Sequence, residues 1–194
     1  MDVVRRIQAV LFRPKREWGR IKAEPATVAG LFVPYVLVLA AVSPAAKFAG
    51  RMIFRSEIPF ARVPVWSVGR ALSNALLSYA LSLALVYLSG VIVNALAQSF
   101  SSKQSLTSSM KLAVYSMTPV WLAGVLAVAP ELGDAALLAG LYGAYLFHAG
   151  LRASVLDTPR NRVLPFFIVS VVAIAALFAV FGLILWVLYF RRMA

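Results

Sequence analysis

A chain of 194 residues that is 62% hydrophobic and 13% charged is too apolar for a soluble domain, in which about 45–50% of residues are apolar. With no cysteine and a single histidine, it has neither disulfides nor thiolate chemistry, and a metal at the histidine would need carboxylates from elsewhere. The net charge of +12 is spread over segments that flank apolar runs, which suits anionic lipid headgroups and not nucleic acid.

Residues 1–25 read as a basic interfacial arm. Val3, Val4, Ile7 and Leu11 recur at helical spacing while Arg5, Arg6, Gln8 and Arg13 face elsewhere, the pattern of a helix lying in the headgroup plane. Pro14 is expected to end this helix. A second piece, Lys15 to Lys22, places Trp18 and Ile21 where amphipathic side chains favour the interface. Arg5, Arg6, Lys15, Arg16 and Trp18, with Trp66 further on, are the expected anchors. Arg5-Arg6 superficially resembles a twin-arginine signal, but the apolar run begins some twenty residues later, so the first span is expected to be retained.

Five apolar stretches follow, at about 26–49, 68–97, 112–129, 135–156 and 163–190. Each meets or nearly meets the roughly 20 residues that a helix needs to cross a hydrocarbon core of about 30 Å. They lack the two-residue alternation of barrel strands, and helices are the other way to satisfy backbone groups in lipid. The expected fold class is therefore all-α: a polytopic bundle of five transmembrane helices over 26–194, preceded by the arm. Pro25 can open the first span. Between spans one and two, Pro59 and Pro64 interrupt Gly50 to Ser67, predicting a bent segment along the outer surface.

Span two carries Asn74, Ser78 and Ser82 every four residues, and Tyr87, Gly90 and Asn94 as a second stripe. Both should face other helices, because polar groups are unfavourable against lipid. In span three, Tyr115-Ser116-Met117-Thr118-Pro119 predicts a kink, since Pro119 removes a donor and displaces the Tyr115 carbonyl. Ser116 or Thr118 could compensate, and the kink could be a fixed bend or a hinge. Glu131 and Asp134 form an acidic turn, which reads as an ordinary water-exposed feature more readily than as a cation site. Span four aligns Ala136, Gly140 and Ala144, with Ala139 and Gly143 on the next line, a surface for close helix approach. His148 continues the first line, with Arg152 one turn later; a hydrogen-bonded, helix-facing histidine is expected there.

The basic residues suggest a direction. Placing the arm, Lys103, Lys111, Arg152, Arg160 and Arg162 inside puts twelve there; Lys47, Arg51, Arg55, Arg62, Arg70, Arg191 and Arg192 leave seven outside. The bias favours a cytoplasmic N-terminus and, with five crossings, an external C-terminus.

The run Tyr115-Ser116-Met117-Thr118-Pro119-Val120-Trp121-Leu122-Ala123-Gly124, the following Pro130, and Leu141-Tyr142-Gly143-Ala144-Tyr145-Leu146-Phe147-His148-Ala149-Gly150-Leu151 resemble the Ypt-interacting-protein (Yip) family, particularly its prokaryotic branch. Arg13-Pro14, Trp18, Ile21 and Glu24 are similar to that branch's opening. The resemblance implies a five-helix membrane domain with a cytosolic N-terminus, in a prokaryotic cytoplasmic membrane. The resemblance implies that eukaryotic relatives interact with prenylated Rab-type GTPases and help organise secretory membranes; their long cytosolic N-terminal region is expected to be missing here, and that partner is not assumed for the short basic arm. Arg152 stands where the resemblance leads one to expect proline.

Enzyme chemistries lack their parts. The chain has no HExxH helix, no pair of intramembrane aspartates and no Gly-rich phosphate loop after a strand. No catalytic, cofactor or metal residues are expected. The favoured role is a membrane-organising or adaptor protein acting through lipids, a second copy of itself or another membrane protein. The alternative is a small transporter, channel or lipid translocator using Asn74, Ser78, Ser82, the Pro119 kink and His148, with Lys47 as an anion contact.

Overall fold

The computed structural model describes residues 2–53, 67–128 and 135–191, and every regular element among them is helical. Trp66, most of the segment between spans one and two, and the Glu131/Asp134 turn lie outside the described residues.

Helix α1 (Val3–Phe12) starts at Asp2, whose side chain accepts from the Arg5 amide, satisfying one of the donors left open at a helix start. It stops at Arg13, and Pro14 then opens α2 (Pro14–Ala23), where a missing N–H is harmless. Thr27 caps α3 (Val28–Ile53), accepting from Gly30 N at 3.0 Å. A π-helical stretch, Phe32–Val36, surrounds Pro34, which has no N–H to give the ladder. Helix α4 runs Val68–Ala97 from a Ser67 cap and continues as a 3-10 turn to Phe100. Ser101, at φ 54°, ends it.

The third expected span is disturbed at the expected place, while helical hydrogen bonds run on across Met117, whose N–H reaches the Ala113 carbonyl and whose carbonyl accepts from Trp121 N. It begins earlier, as α5 (Leu106–Ser116), breaks for one residue at Met117, resumes as α6 (Thr118–Ala123) and ends in a 3-10 turn, Gly124–Val128. Pro119 explains the break: it stands in the first turn of α6, where no donor is required, whereas in an undisturbed helix its ring would press on the Tyr115 carbonyl. Helix α7 (Ala135–Arg152) has 18 residues and gives way to turns four residues before the expected end. Helix α8 is Val163–Arg191.

Among the described residues, three helices are long and apolar enough to cross a membrane: Val28–Ile53, Val68–Phe100 and Val163–Leu188. Only 33%, 22% and 11% of their most apolar windows are buried inside the protein, so most of their surface faces outward. The interior belongs instead to α5, in which every residue from Ser109 to Ser116 is buried. Close approaches surround it. A Cβ at Gly90 of α4 would stand 2.3 Å from Met110 Sδ, and one at Gly143 of α7 would stand 2.8 Å from the Ser116 carbonyl oxygen.

The arm belongs to this core. Val10, Trp18 and Ile21 are each 1% exposed and cluster with Tyr35, Tyr115, Leu146 and Leu151. Trp18, expected to sit among lipid headgroups, instead meets Tyr115 edge-on at 6.2 Å and occupies the space a Gly150 side chain would need. Arg6, also expected to face outward, is 8% exposed. A hairpin bend at Pro14 turns both side chains toward the bundle, an arrangement a single helical wheel cannot show.

Candidate functional site

The most polar interior of the protein lies where the arm docks. Arg6 of α1 reaches across the hairpin to two carboxylates of the second half of the arm. One nitrogen donates to Glu17 Oε1, and the other to Glu24 Oε1 at 2.6 Å. Burial works against the guanidinium's charge, but the Glu24 bond and the charges of both carboxylates more than offset it and raise the pKa above the ordinary arginine value. The guanidinium also lies 5.8 Å from the centre of the Tyr115 ring, within reach of a cation–π attraction.

Two bundle side chains close the ends of the arm helices. Lys111 of α5 donates through Nζ to the carbonyls of Ile21, at 2.7 Å, and Glu24, at 2.5 Å. The Tyr142 hydroxyl of α7 donates to the Leu11 carbonyl. The C-terminal carbonyls of a helix have no partners within it and carry its negative end. A cation and a phenol from the bundle therefore fix both helices by the groups those helices leave open. On the far side, Lys22 Nζ bonds Asp157 Oδ1 at 2.8 Å, tying α2 to the turn between α7 and α8.

An aromatic chain runs inward from this network. Trp18 meets Tyr115, Tyr115 meets Tyr35 at 5.1 Å, and the Tyr35 hydroxyl bonds Thr118 Oγ1 at 2.9 Å. The chain ends at the α5/α6 break. Beside the network opens a cleft of about 830 Å³, whose polar lining includes Arg5, Arg6, Arg20, Glu17, Glu24 and Lys111.

The Yip1 domain family matches residues 9–190, a span that opens inside α1 and runs almost to the end of α8. The chain belongs to the Yip1 domain family. No curated protein matches it, and no solved structure does. It is a Yip1-domain membrane protein with apolar helices.

Within this Yip1 domain, the residues singled out by sequence fall in separate places. Tyr115 and Thr118 join the aromatic chain, and Pro119 is buried at the helix break. Asn74 Oδ1 accepts from Arg51 Nη1 at 2.9 Å. Ser78 and Ser82 line a second cleft, between α3, α4, α6 and α8. Asn94 Oδ1 is buried without a hydrogen-bond partner among the described residues. Gly143, on the second small-residue line, is tightly packed, but a side chain at Gly140, on the first, would meet nothing within 4 Å. His148 packs edge-on against Phe167 at 5.1 Å, and its Nδ1 has no partner among the described residues. The hydrogen bond expected of it is absent at that atom. Among the described residues no three His, Cys, Asp or Glu side chains gather as metal ligands. Of the expected anchors, Arg5 pairs with Asp2 at 3.2 Å, and Lys15 and Arg16 are exposed.

Sequence reasoning passed over Glu17, named Glu24 and Tyr142 only within the family resemblance, and used Lys111 only in a charge count. One signal was present: apart from Asp2, Glu17 and Glu24 are the only acidic residues in an otherwise basic arm.

Proposed function

We propose that this Yip1-domain protein is a non-enzymatic membrane organiser or adaptor whose docked arm presents a basic surface to an anionic leaflet or to a partner lying on it. The observation that carries this reading is the sorting of charge on the arm. Arg6 pairs with Glu17, buried beside it, and with Glu24, while Arg13, Lys15 and Arg16 are exposed and Arg5, Arg20 and Lys22, also exposed, make surface pairs with Asp2, Glu17 and Asp157. A polybasic surface near the cytoplasmic leaflet gains about 1 kcal/mol per charge, and the docking contacts hold these charges in one fixed array.

On this reading the arm lies on the cytoplasmic side of a prokaryotic inner membrane. The broken α5/α6 segment and α7 complete five crossings, and the C-terminus is external. The outward surfaces of α3, α4 and α8 meet lipid, a second copy or another membrane protein.

The test places a photo-crosslinking side chain at Arg16 in native membranes, with a second such chain also neutralised at Arg13, Lys15 and Arg20. Reproducible adducts to anionic lipid or to one membrane protein are expected, and they should disappear when the charges are neutralised. Equal, unselective labelling of both chains would sink the proposal. A second reading, transport, draws on the Asn74, Ser78 and Ser82 stripe; on that view Asn74→Leu abolishes ion or lipid flux in liposomes, and flux no greater than that of empty vesicles removes it.

A further inference from the structure

The polar stripe of α4 has a counterpart on α3. Ser43, Lys47 and Arg51 recur every four residues on α3 and run alongside Ser82, Ser78 and Asn74 of α4. The rung formed by Arg51 and Asn74 is closed by its hydrogen bond. The next two rungs open onto a cleft of about 280 Å³, to which Ser43, Lys47, Ser78 and Ser82 contribute the polar side. Phe178, Phe181 and Leu185 of α8 form an apolar wall, and Gly182 leaves a gap in it. Phe178 is 38% exposed and Gly182 is exposed, so the cleft opens sideways at the surface of the apolar helices.

Lys47 is the feature that needs an explanation. Among the described residues it has no hydrogen bond and no ion pair, no carboxylate lines its cleft, and its charged neighbour is a second cation, Arg51. It lies nineteen residues into α3, counting from Val28, or about 28 Å along the axis, close to the full depth of a hydrocarbon core. Lys47 is exposed at that far end of the helix, where an ammonium meets anionic headgroups while the apolar wall of the cleft meets their chains. Ser43, Ser78 and Ser82 supply hydroxyl donors beside it. The volume is near the lower end of ligand sites, which run about 300–1,000 Å³, enough for a small head and the first carbons of a chain while the remainder stays in lipid.

We propose that this cleft binds the anionic head of an acyl-chain amphiphile, with Lys47 pairing with the head and Phe178, Phe181 and Leu185 packing along the start of the chain. The chemistry is common to a free fatty acid and an anionic phospholipid. The proposal is independent of the arm and does not require flux.

The test uses the purified full chain in detergent and reads binding of defined probes by native mass spectrometry. Oleate supplies carboxylate and chain, oleyl alcohol the chain without charge, and inorganic phosphate an anion without a chain. Phosphatidylglycerol and phosphatidylcholine provide the lipid pair. The wild type is expected to bind oleate, phosphatidylglycerol or both in preference to their neutral counterparts; whichever binds identifies the source of the head. Lys47→Met should weaken that binding about tenfold or more, the effect expected from losing a charge-assisted hydrogen bond, and Lys47→Arg should retain it. A side chain at Gly182 would meet no neighbour within 4 Å, so Gly182→Leu should fold normally, with unchanged thermal midpoint, yet obstruct the cleft and abolish binding. Equal binding of oleyl alcohol, displacement of oleate by phosphate at like concentration, or undiminished binding by either Lys47→Met or a folded Gly182→Leu would overturn the proposal.

Discussion

Arg6 shows how far a single residue's role can lie from its sequence context. It falls on the polar side of an amphipathic pattern, yet its partners are 11 and 18 residues further on, on the other side of the Pro14 turn. No periodicity rule reaches across that turn. Removing one member of a buried ion pair leaves the others uncompensated, at about 3–5 kcal/mol. Arg6→Leu should accordingly lower the thermal midpoint in detergent strongly, while Arg5→Leu, whose exposed pair with Asp2 lies at the surface, should lower it little. Equal midpoints for the two variants would show that the Arg6 cluster does not hold the arm. The small residues of span four offer a second comparison. Gly143→Val must displace the Ser116 backbone, whereas Gly140→Val meets nothing within 4 Å. The first variant should be destabilised by about 1–3 kcal/mol, the usual range for overpacking, and the second should be near neutral. Sequence spacing identified both glycines but not which of them touches a neighbour, because that depends on where the broken α5/α6 segment passes.

At the scale of elements, the three long helices were legible because contiguous apolar length is a direct consequence of bilayer thickness. The predicted start of α4 at Val68 coincides with the observed one. The third span was legible only as a place of disturbance. Pro119 announces that a helix cannot continue unchanged, but whether it bends or stops depends on what holds the two halves. Here Tyr35 takes the Thr118 hydroxyl, and Gly143 lets α7 approach Ser116. The arm helices illustrate the same limit, since their open C-terminal carbonyls are visible in any sequence reading while the groups that close them are not. Lys111→Met leaves the Ile21 and Glu24 carbonyls without their donor, and such charged hydrogen bonds contribute about 1.5–3 kcal/mol. Tyr142→Phe removes a neutral bond, at about 1 kcal/mol. Hydrogen exchange should therefore accelerate in α1 and α2 in both variants, more in Lys111→Met, while α4 and α8 keep their protection. Exchange that rises evenly throughout the protein would instead make Lys111 a general core residue and not the fastening of the arm.

Across the whole molecule, the long helices and the buried core divide the work. Helix α4, at 33 residues with its terminal turn, extends about 50 Å, well beyond a hydrocarbon core of about 30 Å. That excess carries the helix past the hydrocarbon core, where short elements such as α5 pack against it. The Lys22–Asp157 pair spans 135 residues of sequence and joins the arm to the turn leading into α8. The hydrogen bond from Lys22 holds the Asp157 carboxyl below its ordinary value of 3.8, with only a slight opposing effect of burial. A carboxylate with a depressed folded pKa stabilises the fold above its unfolded value and loses that contribution as pH falls through the folded one. The side chains are 43% and 52% exposed, so screening keeps the contribution below about 1 kcal/mol. Asp157→Asn should thus melt slightly below the wild type at pH 7, and the gap should close as pH falls below the ordinary carboxylate value. Lys22→Met should give the same small gap at neutral pH and the same closure, because both variants remove one interaction; a gap that persists at acid pH in either would show that it does not come from the Lys22–Asp157 pair.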